Sequence, residues 1–126
     1  MVKLLLIAVG GAGGSVLRYL VSGWLQRWSD TWPVGILVVN VTGCLLIGFL
    51  GTAFTGPLMV RPEWRLGIIV GVLGGYTTFS TFGWDTMKLV DGRQFGFAAL
   101  NVLLSVGAGL VAVWAGSRVA QALYGP

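Results

Sequence analysis

Four long stretches of the sequence contain no charged residue, and this pattern restricts the fold more than any other feature. They lie at residues 4–17, 31–60, 66–84 and 94–117. A helix needs about 20 predominantly apolar residues to cross a bilayer core of about 30 Å. Segments of that length lie at about 4–25, 34–55, 66–89 and 95–122, the first including Arg18. The sequence therefore predicts an all-α membrane protein whose residues 1–126 form a single domain of four transmembrane helices.

The composition excludes several other classes of protein. Only 10% of the residues are charged, whereas a soluble domain needs roughly a quarter. The net charge of +4 does not indicate nucleic-acid binding, because the basic residues are scattered singly near helix ends, as in membrane proteins. Histidine is absent and Cys44 is the single cysteine, which excludes metal sites built on those residues and nucleophile–histidine catalysis. We therefore expect neither an enzyme nor a nucleic-acid partner.

The N-terminal segment permits a second interpretation. Lys3, the apolar run 4–9 and the small residues 10–15 resemble a secretory signal with its cleavage region. The apolar stretch, however, continues past Arg18 into the tryptophan-rich residues 24–32, and tryptophan is typical of the membrane–water interface. We therefore predict that this segment is a retained membrane helix.

The lysine and arginine residues divide almost evenly between the two sides of the membrane. With four spans, one side holds Lys3, Arg61, Arg65 and Arg118, and the other holds Arg27, Lys88 and Arg93, with Arg18 near it. Orientation normally follows an excess of positive charge in cytoplasmic loops. Because the sequence lacks a clear excess, we predict that copies insert in both directions and pair as an antiparallel dual-topology homodimer. The alternative is a single orientation set by one or two charges.

Small residues recur at helical spacing and predict close contact between helices. The sequence contains 21 glycines. The stripes are Gly10 and Gly14 in helix 1, Gly67, Gly71 and Gly75 in helix 3, and Ala108, Ala112 and Gly116 in helix 4. Lipid supplies no hydrophobic drive for helix association, so packing at small residues must contribute. Most of these residues are expected to serve packing alone.

Residues 74–83, inside the third predicted helix, have a composition that disfavours a helix. Adjacent glycines precede the β-branched Thr77 and Thr78, and both features lower helix stability. Irregular backbone at membrane depth is tolerated only where protein buries it or where it lines a water-filled cavity. We predict that helix 3 is broken in mid-membrane near residues 74–78 and resumes at 79–85. The alternative is a bent helix whose hydroxyls bond to its own carbonyls.

Neutral hydrogen-bond donors and aromatic rings accompany the predicted break. The hydroxyl and amide residues are Asn40, Thr42, Thr77, Thr78, Ser80, Thr81, Asn101 and Ser105. Such groups donate to an anion without fixing a charge in a pore. Phe79 and Phe82 are three residues apart and share a helix face, which would let both turn their positive ring edges inward. Arg18 is a charge inside a span, which is usually functional or paired unless it extends to the interface.

At these positions the sequence resembles the CrcB/Fluc family of small fluoride channels, essentially over the whole chain. The resemblance rests on Gly13-Gly14, Leu17-Arg18, the run 35–40 and above all the contiguous run 74–82. It departs after Phe82, where similar sequences often continue with Ser and then Glu, whereas this chain has Gly83, Trp84 and Asp85. The resemblance implies a passive fluoride-selective channel that exports fluoride across the cell inner (plasma) membrane and so confers fluoride resistance. It also implies an antiparallel homodimer in lipid, with two pores.

The resemblance further implies roles for individual residues. The pore and fluoride-binding residues would be Asn40, Phe79, Phe82, Ser80, Thr81 and Ser105, with Arg18 at the pore entrance. Backbone carbonyls of Gly74 and Thr77 from both subunits would hold a structural Na⁺ at the dimer interface. Fluoride, lipid and a second copy of the chain are therefore the expected partners, and Na⁺ is the expected cofactor.

A small four-helix proton-coupled multidrug exporter is the leading alternative, since it is also an antiparallel dimer of similar length. Such an exporter needs a membrane carboxylate to exchange protons for a cationic drug. The first predicted helix has Arg18 but no acidic residue, which argues against it. A structural or assembly subunit is a third alternative, and it would need the glycine stripes but not the hydroxyl residues.

Overall fold

The computed structural model describes residues 1–56 and 58–125, and the regular structure within these ranges is entirely helical. Four helical spans are long and apolar enough to cross a membrane: Val2–Gln26, Val34–Thr55, Pro62–Asp91 and Phe95–Tyr124. The first and second spans are the continuous helices α1 and α2, and the fourth is the continuous helix α6. The prediction of four membrane helices is confirmed, and the protein is a multi-pass membrane protein.

The third span is not one regular helix. It consists of α3 (Pro62–Leu66), a π-helical segment (Gly67–Leu73), the short turn α4 (Gly74–Tyr76) and α5 (Phe79–Asp91). Between α4 and α5, Thr77 and Thr78 have extended backbone, with ψ angles of 157° and 122°. The irregular residues therefore lie within the segment whose composition disfavours a helix.

Local sequence explains where the second and third spans begin. Pro33 immediately precedes α2, and Pro62 lies in the first turn of α3, where a backbone N–H has no helical partner to lose. The loop before α2 is held by Gln26, whose Nε2 donates to the carbonyl of Trp32 at 2.9 Å while its Oε1 accepts from the backbone N–H of Gly35 at 3.2 Å. One side chain thus fixes the turn between the first two spans.

Small residues let the helices approach until their backbones touch. Helix α1 packs along the first half of the third span, and α2 packs along α6. A Cβ atom at Gly14 would collide with the carbonyl oxygen of Val72, and one at Gly116 would collide with that of Leu45. The expectation that the glycine stripes serve helix packing is confirmed at these positions.

The distribution of side-chain size is that of a protein surrounded by lipid. The buried residues include Ala53, Ala98, Ala112 and Ala120, whereas the large exposed apolar residues include Leu4, Val16, Leu103, Leu110 and Leu123. Helix α5 packs against α6 and touches α2 at few positions. It therefore has the least support of the long helices, and its Phe79 side chain is 82% exposed in a single chain.

Candidate functional site

The Thr77 N–H keeps its helical bond to the Leu73 carbonyl at 3.0 Å, but the Thr77 carbonyl and both backbone groups of Thr78 bond to side chains of other helices. Asn40 on α2 supplies both partners of Thr78. The Asn40 Nδ2 donates to the Thr78 carbonyl at 2.9 Å, and the Thr78 N–H donates to Asn40 Oδ1 at 2.8 Å. The side-chain amide thus pairs with the backbone as a neighbouring strand would. One N–H of the Asn40 amide is left over, because an NH₂ group has two donors.

Arg18 on α1 serves the other extended residue. Its Nη1 donates to the Thr77 carbonyl at 3.0 Å. Gly14, one turn earlier on α1, lies against the backbone at Val72, and this close approach brings the guanidinium within reach of Thr77. Arg18 is therefore bound to the backbone of the third span, a contact that its sequence position alone did not indicate.

The start of α5 is capped from within the same segment. The Thr78 Oγ1 accepts from the Thr81 N–H at 3.2 Å, which makes Thr78 the N-cap residue. The same hydroxyl lies 3.2 Å from the hydroxyls of Ser80 and Thr81. Thr78, Ser80 and Thr81 thus form one hydroxyl cluster at the N-terminus of α5.

A groove of about 330 Å³ opens beside the extended residues. Its lining includes six of the predicted site residues: Asn40, Gly74, Thr77, Phe79, Phe82 and Ser105. The lining contains no charged side chain. The Ser105 Oγ is buried and has no hydrogen-bond partner among the described residues, so its proton is free to donate. The groove is therefore uncharged and offers neutral donors.

The two phenylalanines lie side by side at this groove. The ring centroids of Phe79 and Phe82 are 5.5 Å apart, and the ring planes are inclined at 44°. Phe82 is half-buried, in contrast to the exposed Phe79. The two rings are neighbours because Phe79 and Phe82 are three residues apart on α5 and therefore share a helix face, as the sequence predicts.

Three predicted residues lie outside the groove lining: Arg18, Ser80 and Thr81. Ser80 and Thr81 are connected to the groove through the Thr78 hydroxyl, and Arg18 through the Thr77 carbonyl. The sequence analysis places Thr78 among the hydroxyl residues and at the predicted break, but it does not predict its N-cap role, although a threonine at the start of a helical run is a recognisable N-cap signal. Thr78 is the residue on which the contacts from Asn40, Ser80 and Thr81 converge.

A second, more polar depression of about 490 Å³ lies at the far end of α5. Its lining includes Gln26, Asp30, Asp85 and Lys88. The Lys88 Nζ lies 2.8 Å from Asp85 Oδ1, so these two charges form an ion pair. One face of α5 extends from the uncharged groove to this polar depression. It carries Phe79, Phe82 and Asp85, which are spaced three residues apart.

Comparisons with known proteins match nearly the whole chain. A family model described as CrcB-like protein, Camphor Resistance (CrcB), matches residues 5–117. A protein of Solibacter usitatus named "Fluoride-specific ion channel FluC" is 47% identical over 120 residues, which are 94% of this chain and 98% of that protein. Proteins of the same name from Rhizobium meliloti and Geobacter sulfurreducens are 46% and 45% identical over 124 residues, 98% of this chain and 99% and 100% of theirs.

We predict that Asn40→Ala loosens the extended segment, because it removes both partners of Thr78. Each unsatisfied buried group costs about 1–3 kcal/mol. In detergent micelles, amide hydrogen exchange measured by mass spectrometry should become faster in peptides that cover residues 77–82. Thr55→Ala is the matched control on α2, because the Thr55 hydroxyl bonds only to carbonyls of its own helix. Equal exchange in both variants would contradict the role given to Asn40.

Proposed function

Because the chain belongs to the CrcB family, we propose that it is a passive, fluoride-selective ion channel that exports fluoride across the cell membrane. The observation that carries this proposal is the uncharged groove, which combines neutral hydrogen-bond donors with two phenyl rings at an irregular backbone segment. Irregular backbone in a membrane span is tolerated where it is buried in protein or lines an aqueous cavity. Thr77 and Thr78 line the groove, and the proposed role of their extended backbone is therefore to line an ion pathway.

Fluoride is small and tightly hydrated, so a conducting pore must replace its water with several short hydrogen bonds. Asn40, with its second N–H, and Ser105, whose buried hydroxyl has no partner among the described residues, both belong to the groove lining. The hydroxyls of Ser80 and Thr81 continue the donor series at the start of α5. Since these donors are neutral, the ion is held firmly enough to enter and weakly enough to leave.

The phenylalanines complete the proposed pathway. The edge of an aromatic ring is the positive rim of its quadrupole, and it is a weak, dehydrating partner for an anion. Both rings line the groove of their own chain, and the exposed ring of Phe79 would also contact a partner subunit. In an antiparallel homodimer, two such grooves form two pores, and the interrupted third span lies in mid-membrane.

The distribution of acidic residues favours a channel over a proton-coupled multidrug exporter. The chain has four acidic residues, Asp30, Glu63, Asp85 and Asp91. None lines the groove, and Asp85 is paired with Lys88. An exporter of cationic drugs needs a membrane carboxylate that binds and releases protons. A passive anion pathway needs only the membrane potential, worth about 2.3 kcal/mol per charge for each 100 mV.

Purified protein in liposomes tests the function directly. A fluoride electrode should record rapid fluoride release without a proton gradient, and negligible chloride release from matched vesicles. Phe82→Ile should lower the fluoride rate by about 10²-fold, the loss that about 1 Å of misplacement produces in an enzyme site. Phe95→Ile is the control, because Phe95 lies at the start of α6 outside the groove.

The outcomes separate the candidate functions. Release that depends on an imposed proton gradient would indicate an exchanger and would contradict the channel. If the intact dimer released no fluoride, the channel function would be contradicted, and a structural or assembly subunit would be the remaining candidate function. If Phe82→Ile and Phe95→Ile were both as fast as the unaltered protein, the assignment of the groove would be wrong even though the channel function stood.

A structural Na⁺ at the dimer interface is part of the same proposal. The Thr78 N–H, the ordinary helical partner of the Gly74 carbonyl, donates to Asn40 instead. The Thr77 carbonyl accepts one bond from Arg18, and a carbonyl oxygen has a second lone pair. Carbonyls of unwound membrane helices coordinate Na⁺ in transporters. Gly74 and Thr77 of both subunits therefore have the chemistry to hold the ion.

We predict that the dimer depends on Na⁺. Exchange of Na⁺ for N-methylglucamine should lower fluoride flux and the unfolding temperature of the dimer, because an ion that binds only the folded state stabilises it. Both should recover when Na⁺ is restored. K⁺ in place of N-methylglucamine tests whether the effect is specific to Na⁺. Flux and unfolding temperature that are independent of the cation would contradict the ion site.

Dual topology is tested with single cysteines in a Cys44→Ala background. Ser29 and Met59 lie in loops on opposite sides of the proposed bundle, and both are uncharged, so replacing them leaves the charge balance unaltered. A membrane-impermeant thiol reagent should label each position from both faces of the membrane, to about half in each case. Labelling of each position from one face alone would exclude dual topology.

A further inference from the structure

The most deeply buried polar side chain among the described residues lies on α6, one turn before Ser105 and outside the groove lining. Asn101 is 1% exposed. Its Nδ2 donates to Thr86 Oγ1 at 2.9 Å, and Thr86 Oγ1 donates to the carbonyl of Phe82 at 2.8 Å. Two hydrogen bonds thus connect the fourth span to the backbone of Phe82.

Helix α5 needs such a connection because the rest of the fold holds it weakly. Its N-terminus is fixed at Thr78, but further along it packs mainly against α6. Leu89 is its buried apolar residue. Thr86 lies one turn after Phe82 and one turn before Leu89, at the middle of this contact. The two hydrogen bonds therefore define how α5 is rotated against α6.

The Asn101 amide is oriented by these bonds at a cost in stability. Its Oδ1 is buried and has no partner among the described residues. Rotating the amide would place Oδ1 against Thr86 Oγ1, whose proton already serves the Phe82 carbonyl. A buried acceptor without a partner destabilises the folded state, and a leucine of similar size would avoid that loss. A cost of this kind indicates a role other than stability.

We propose that Asn101 and Thr86 are positioning residues that set the placement of the Phe82 ring in the fluoride pathway. The inference rests on the proposed function only in taking Phe82 as a pore residue. Selectivity demands tight placement, since a functional group held about 1 Å too loosely fails even when it is present. The link acts on the main chain of Phe82, so it positions the ring without contacting the ion.

A double-mutant cycle in liposomes tests the proposal. Thr86→Val keeps the shape and removes the hydroxyl, and Asn101→Leu removes the amide. Each variant should lower the fluoride rate about tenfold and lower the ratio of fluoride to chloride flux. This loss is smaller than the roughly 10²-fold that a misplacement of about 1 Å produces, because the ring would shift by less than that. The two variants together should be no slower than either alone, because they break one chain of contacts. Thr86→Ser, which keeps the hydroxyl, should retain most of the flux and selectivity.

The controls distinguish positioning from simple folding. Thr55→Val removes a hydroxyl that bonds within its own helix, and it should leave flux and selectivity unchanged. Size-exclusion chromatography should show intact dimers for all variants. Unaltered selectivity in Thr86→Val, additive losses in the double variant, or failure of both single variants to assemble would overturn the positioning role. Absence of fluoride flux in the unaltered protein would instead overturn the proposed function.

Discussion

The structure depends on satisfying the polar backbone of two extended residues inside a membrane span. In hydrocarbon, an unpaired N–H or carbonyl costs several kcal/mol, so a break in a helix persists only if other elements supply partners. Asn40 pairs with both groups of Thr78, and Arg18 pairs with the carbonyl of Thr77. The first and second spans therefore stabilise a conformation of the third that the third cannot maintain alone.

These partners reach the break only because glycine brings the helices together. Gly14 places α1 against the backbone of the third span, and Gly43 leaves room on α2 for the methyl group of Thr77. An alanine at either position would separate the helices and lengthen the hydrogen bonds from Arg18 or Asn40. The glycines and the polar residues thus act together. The glycines determine the short distance between the helices, and Arg18 and Asn40 form their hydrogen bonds across that distance.

Much of this arrangement is predictable from sequence, and the part that is not depends on contacts distant in the chain. Hydrophobicity predicts the four spans, and the glycines and threonines of residues 74–78 indicate poor helix, in the region where Thr77 and Thr78 are extended. The partners of those residues are 38 and 59 positions away, and only the packed helices bring them together. The sequence analysis does not predict the π-helical turns at Gly67–Leu73, although that segment also combines two glycines with four β-branched residues.

The placement of charge explains how an anion could pass a span without being trapped in it. The groove itself is uncharged. The guanidinium of Arg18 is bound to the Thr77 carbonyl and is not part of the groove lining, and the Asp85–Lys88 pair lies at the polar depression. A fixed cation in the groove would bind fluoride too tightly for rapid release, and an unpaired carboxylate would repel it. A cation held one carbonyl away contributes a favourable potential but no direct ligand. In the proposed pathway, the extended residues would therefore serve conduction twice: they would open the donor-lined groove, and they would give Arg18 a partner outside the groove lining.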